Sequence, residues 1–149
     1  MKILFACTGN TCRSPMAQAM AAKLFGDGYE VLSAGVMAMP GQKASENAIE
    51  AMKRRQIDLT GHKSQPVSES LLEWADLVLA MTAAHKSAIC LADKAGKVYT
   101  LREYAGAHDQ AAPNQTDISD PFGGDLGVYL ACAEEIYGLL LKIKEGINI

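Results

Sequence analysis

The chain has 149 residues, of which 49% are apolar, 21% charged and 6% aromatic. That length fits one domain spanning 1–149, which buries roughly 70% of its extended surface without disulfide or metal staples, and the mix excludes disorder, collagen and coiled coil. Fourteen Lys and Arg against 17 Asp and Glu give a net charge of −3, so no attraction to nucleic acid or membrane is expected and any bound anion needs a local site.

In chain order, residues 2–6 read as a buried strand, too short for the apolar stretch of a signal peptide. Ser14-Pro15 opens a helix to about residue 25, with Ser14 as cap, Pro15 in the first turn and Met16, Ala19, Met20 and Leu24 as the apolar stripe. Gly26-Asp27-Gly28 ends it, and residues 29–33 alternate like a second strand. Residues 44–56 read as a helix capped by Ser45, whose Lys53-Arg54-Arg55 run is taken as cations complementing the helix dipole. A short helix over 71–75, a buried strand over 76–81, a helix from about Ala83 and a strand over 97–101 follow. Residues 106–124, rich in Pro, Gly, Asn and Asp, make a loop, and a long helix over 126–144 closes the chain. No apolar run approaches the roughly 20 residues of a membrane span.

Strands alternating with helices, without an internal repeat, imply an α/β fold: a three-layer α/β/α sandwich around a central four-stranded parallel sheet. Such sheets bind ligands beyond the carboxyl ends of their strands. In this chain that place is residues 7–13.

The segment Cys7-Thr8-Gly9-Asn10-Thr11-Cys12-Arg13-Ser14 lies between a strand and a helix. Gly9 and Asn10 tolerate left-handed backbone angles, so the loop can turn its N–H groups inward as an anion-binding nest. The helix N-terminus and the planar fork of Arg13 add positive charge, completing a cradle for a tetrahedral dianion. Thr8, Gly9, Asn10, Thr11, Cys12 and Arg13 are the candidate phosphate-binding residues. Cys7, at the base of the cradle, would be stabilised as a thiolate placed for in-line attack, giving a phosphocysteine. No metal cluster with ligand spacing appears, and neither metal nor cofactor is expected. On the residues alone Asp117, Asp120 and Asp125 are equal candidates for a general acid.

The run from Cys7 to Ala17, with Asp120-Pro121-Phe122-Gly123 late in the chain and Ser33-Ala34-Gly35 between, resembles the low-molecular-weight protein-tyrosine phosphatases. The resemblance implies Cys7 as nucleophile, Arg13 as phosphate-binding arginine and Asp120 as the acid. It also implies that Ser14 hydrogen-bonds the thiolate, and that a strained Asn10 is tied to Ser33 and His62. Thr11 stands where enzymes acting on phosphotyrosine commonly carry an aliphatic residue, and resembles the bacterial branch that dephosphorylates phosphoarginine in proteins. The segments 81–86, 100–104 and 120–124 resemble that branch too.

A Thr11 hydroxyl could accept a hydrogen bond from a guanidinium, whereas an apolar residue would leave that group unpaired. The alternative is that Thr11 only packs, its β-branch stiffening the loop. Phe122 and the loop over 36–40 are expected as pocket walls, Phe122 suiting a guanidinium or a phenol, with Met37 and Met39 equally plausible as core. Cys12 is either a redox partner shielding Cys7 through a disulfide or a small residue serving the loop backbone. Cys90 and Cys132 read as buried structural cysteines. The stretch 108–119 is longer than the resemblance requires.

The expected function is therefore a cytoplasmic, monomeric phosphatase acting on phosphoarginine in proteins. A tyrosine phosphatase on the same scaffold is the alternative. An arsenate reductase comes third, because it needs a close cysteine pair late in the chain, and a non-enzymatic phosphoprotein-binding module would leave Asp120 without a task.

Overall fold

A computed structural model describes residues 1–92, 96–106 and 116–146. The first strand, β1 (Lys2–Cys7), shows how the layers form. Side chains alternate across a strand, and here Ile3, Phe5 and Cys7 join one buried cluster while Leu4 and Ala6 join another. Both faces are apolar, so both must be covered, which is the mark of a central parallel strand.

The other strands are β2 (Glu30–Gly35), β3 (Leu77–Ala80) and β4 (Val98–Thr100), and the four form a parallel sheet in the order β2-β1-β3-β4. On one face pack α1 (Arg13–Phe25), α2 (Glu46–Lys53) and α6 (Leu126–Gly146), whose Met16, Met20, Met52, Ile136 and Leu140 meet Ile3, Phe5 and Leu79. On the other lie α3 (Glu69–Trp74) and α4 (Ala83–Cys90), which bring Leu72 and Ile89 against Leu4, Ala6 and Val78. Helices on both faces of a four-stranded parallel sheet make the expected sandwich. Because β1 has β2 on one side and β3 on the other, its carboxyl end lies where the strand order reverses, the usual ligand site of such sheets.

Several expectations change in detail. The helix of 14–25 starts one residue earlier, with Cys12 as N-cap and no side-chain cap; Ser14 is committed to Cys7 and Asn10 instead. Its fully buried side chains run through Met16, Ala17, Met20, Ala21 and Phe25, while Ala19 and Leu24 are only partly buried. Ser45 does cap α2, accepting from the Ala48 N–H. Leu101 leaves the fourth strand to begin α5 (Leu101–Tyr104), because Thr100 accepts the Glu103 N–H and caps a helical turn there. Arg54 pairs with Glu50 along α2, and Arg55 reaches Glu134 and the Tyr137 ring on α6, so the basic run is used within the fold. Cys132 is buried as expected, but Cys90, at the end of α4, is exposed. Met37 and Met39 are exposed and belong to no core. The expected loop over 106–124 and the long stretch 108–119 lie partly outside the described residues.

Candidate active site

β1 ends at Cys7 and α1 begins at Arg13, so the residues between must turn from sheet to helix at the carboxyl edge. The turn bends at Asn10, whose φ of 57° is left-handed, a conformation Asn adopts more readily than most non-glycine residues. Gly35 makes room behind it. A Cβ at Gly35 would run into the Thr8 carbonyl oxygen and the Asn10 nitrogen.

Five of the loop carbonyls are engaged away from the concave side. Cys7 O accepts from Val36 N, Thr8 O from Met37 N and Thr11 O from Ser45 N, each at 2.9 Å, and Cys12 O accepts from Met16 N at 3.3 Å. Asn10 O accepts from His62 Nε2 at 2.7 Å; a carbonyl only accepts, so His62 carries its proton on Nε2. This leaves the loop N–H groups for the concave side, and among the described residues no hydrogen bond uses the N–H of Thr8 through Cys12. Free N–H groups at a helix N-terminus are an anion site by construction.

A directed chain of hydrogen bonds supports the base of the cradle. Asn10 Oδ1 accepts from the Gln65 backbone N–H at 3.0 Å, which identifies Nδ2 as the donor to Ser14 Oγ at 2.8 Å and Ser33 Oγ at 2.9 Å. Ser14 Oγ therefore accepts from Asn10 and keeps its own proton for Cys7 Sγ, 2.9 Å away. Ser33 passes its proton to Gln18 Oε1 at 2.6 Å. All of Cys7, Asn10, Ser14 and Ser33 are buried.

Arg13 is buried as well. Its Nη1 donates to the Ile118 carbonyl at 2.8 Å, and its Nη2 lies 3.6 Å from Asp120 Oδ2. A buried guanidinium whose one carboxylate partner is distant and 53% exposed is under-compensated and gains from an incoming anion.

Cys7, Thr8, Gly9, Thr11, Cys12 and Arg13 line a cavity of about 280 Å³ that Gln42, Asp120 and Phe122 complete. Of the predicted cradle residues Asn10 is the exception: it braces the loop from behind. The three candidate carboxylates now separate. Asp117 Oδ1 accepts the Ala83 N–H at the start of α4, and Asp125 Oδ1 accepts the Val128 N–H at the start of α6. Asp120 alone of the three lines the cavity, its Oδ1 accepting the Phe122 N–H at 3.1 Å.

Cys12 Sγ turns toward Tyr129 Oη at 3.3 Å and Ser45 Oγ at 3.5 Å. Burial, helped by that contact with Cys12, pushes the Tyr129 hydroxyl pKa up. Burial likewise pushes the Cys132 thiol up to about 12, so it stays neutral. The loop over 36–40 does not line the cavity; Gln42 does, and the sequence offered no signal for it. His85 was also missed as a site residue, although its Nε2 lies 2.7 Å from Thr8 Oγ1.

The sequence matches the low molecular weight phosphotyrosine protein phosphatase family over residues 2–148. The chain belongs to that family. It is a cysteine-dependent protein phosphatase. Among its relatives, a protein-arginine-phosphatase of Bacillus subtilis is 45% identical over 99% of this chain and 97% of its own length. The low molecular weight protein-tyrosine-phosphatase PtpB of Staphylococcus epidermidis is 37% identical, covering 97% of each. A solved structure of the arginine phosphatase YwlE, a C7S mutant with a phosphorylated active site serine, superposes with a TM-score of 0.89 at 41% identity, covering 99% of this chain and 96% of that one.

Proposed function

We propose that this phosphatase removes the phosphoryl group from phosphoarginine in proteins through a phosphocysteine on Cys7. The observation that carries the substrate choice is Thr11 in the cavity lining, where its hydroxyl, 3.7 Å from Cys12 Sγ, can still accept from a guanidinium N–H. The high identity to relatives named as arginine phosphatases supports the same choice.

The geometry suits the following sequence. The phosphoryl oxygens take the loop N–H groups and Arg13, whose donors are fixed before substrate arrives. The Cys7 thiolate, held by the Ser14 hydroxyl, attacks phosphorus as the P–N bond breaks. The leaving guanidine nitrogen takes its proton from the Asp120 carboxyl. Asp120, now a carboxylate, accepts a proton from water as that water attacks phosphorus, the S–P bond breaks and phosphate leaves with the thiolate restored.

A tyrosine phosphatase is the second reading, and exposed Phe122 at the cavity mouth could stack on a phenol as readily as on a guanidinium. The arsenate reductase reading loses support: Cys132 is buried and neutral, and Cys90 is exposed at the end of α4. A cytoplasmic location belongs to the proposal because Cys7 must remain a reduced thiol, and the proposal takes the enzyme as a monomer. Cys12 is the proposed redox partner of Cys7, though a disulfide requires its Sγ to leave Tyr129 and Ser45.

Wild type is expected to show a higher kcat/KM on a phosphoarginine peptide than on the phosphotyrosine counterpart, and Thr11→Ile is expected to reverse the order. Leaving guanidinium donors unpaired costs about 1–3 kcal/mol, roughly five- to 150-fold in preference. Equal or inverted preference in the wild type would remove the arginine reading and leave the tyrosine one.

A further inference from the structure

His85 lies on α4, outside the cradle, and none of the steps above uses it. Its side chain is buried, with Nε2 at 2.7 Å from Thr8 Oγ1, while Nδ1 is buried without a hydrogen-bond partner among the described residues. Two neutral tautomers could make the contact with Thr8. If Thr8 donates, the ring proton sits on Nδ1 and becomes a buried donor with no acceptor. If Nε2 carries the proton, it donates to Thr8 Oγ1 and Nδ1 is only an unused acceptor. A buried orphan N–H is the costlier of the two, so the Nε2–H tautomer prevails.

Protonating both nitrogens would recreate the orphan donor and add charge near Arg13. Burial first, and the Arg13 guanidinium second, hold the His85 pKa below its ordinary value, against an opposite pull from Asp117 and Asp120. Neutral His85 therefore supplies a fixed donor. Thr8 Oγ1, accepting from it, must send its own proton elsewhere. Among the described residues the hydroxyl has no other partner, and Thr8 lines the cavity.

We infer that His85 is a positioning residue: its Nε2–H holds Thr8 Oγ1 so that the Thr8 hydroxyl proton points into the cavity and donates to a phosphoryl oxygen. The cradle then has a side-chain donor besides its backbone N–H groups and Arg13. The inference rests on the phosphate-cradle reading of residues 7–14.

The test is the binding of inorganic phosphate to the full chain by calorimetry, with kcat and KM on a phosphoarginine peptide, for wild type and four variants. Thr8→Val removes the hydroxyl at near-constant shape, His85→Leu removes the donor, and the double variant combines them. His85→Gln places an amide nitrogen near the position of Nε2. Thr8→Val and His85→Leu should each weaken phosphate binding roughly three- to tenfold. The double variant should be no worse than Thr8→Val alone, because both changes cut one chain of bonds. His85→Gln should recover most of the affinity. Unchanged phosphate binding in Thr8→Val, additive losses in the double variant, or no recovery in His85→Gln would each overturn the inference. Cys7→Ser separates this from the underlying reading: it should bind phosphate without turnover, and turnover in that variant would sink the cysteine mechanism whatever His85 does.

Discussion

The loop from Cys7 to Ser14 and the segment from Ile118 to Phe122 face one cavity but are held in different ways. In the loop, Cys7, Asn10, Arg13 and Ser14 are all no more than 4% exposed, and the carbonyls of Cys7, Thr8, Asn10, Thr11 and Cys12 are engaged away from the cavity. In the segment only Ile118 and Pro121 are buried; Phe122 is 75% exposed, and the Asp120 carboxylate has one backbone N–H and a 3.6 Å contact with Arg13. The difference matches what each half must handle. Phosphoryl oxygens are the same in every substrate, and donors fixed in advance stabilise their charge without reorganising. Leaving groups vary in shape and belong to large proteins, so the proton donor gains from a lightly held segment that can follow them.

Asp120→Asn should lose roughly 10²–10⁴-fold in kcat, the usual range for a positioned acid, while its thermal midpoint stays near that of wild type. A large fall in the midpoint would mean that the segment is structural after all. Gly35→Ala attacks the other half. A methyl group against the Thr8 carbonyl and the Asn10 nitrogen must push the loop out of shape, so activity and thermal stability should fall together, by roughly 1–3 kcal/mol in stability. Lost activity at full stability would show that the loop bends more easily than its bonding suggests.

The smallest effect expected is on the pH dependence of stability. His85 has a folded-state pKa below its ordinary 6.5, so below about pH 6.5 the unfolded chain takes up a proton that the folded chain refuses. Its contribution is complete above that pH and is lost as pH falls through it. Urea unfolding at about pH 7.5 and 5.5 should show a shallower acid-side loss in His85→Gln than in wild type, and identical slopes would contradict the burial argument.

The two halves also differ in how far they could be read in advance. Residues 7–14 are contiguous, and a strand, a Gly-Asn turn and a helix start in succession already specify a nest with a cation and a thiol. Ser33 and His62 came only with the family resemblance, since nothing local ties either to Asn10. Gln42 reaches the cavity and His85 reaches Thr8 behind it through tertiary packing, which leaves no mark on their neighbours in sequence. Ser14 misled for a physical reason: its hydroxyl has the chemistry of a helix cap, but the chain from Asn10 to Cys7 uses it. The choice among Asp117, Asp120 and Asp125 could not come from composition, because all three are short acids near turns. Two of them accept helix-start N–H groups, and only the fold shows which.

The most direct test concerns Cys7 itself. Wild-type enzyme in excess over a phosphoarginine peptide can be quenched in denaturant at alkaline pH within the first turnover, where the acid-labile P–N bond of unreacted peptide survives, and digested for mass spectrometry. The mechanism predicts one phosphoryl group on the peptide that contains Cys7, appearing before free phosphate. Phosphate released at the same rate with no modified Cys7 peptide at any time would contradict it.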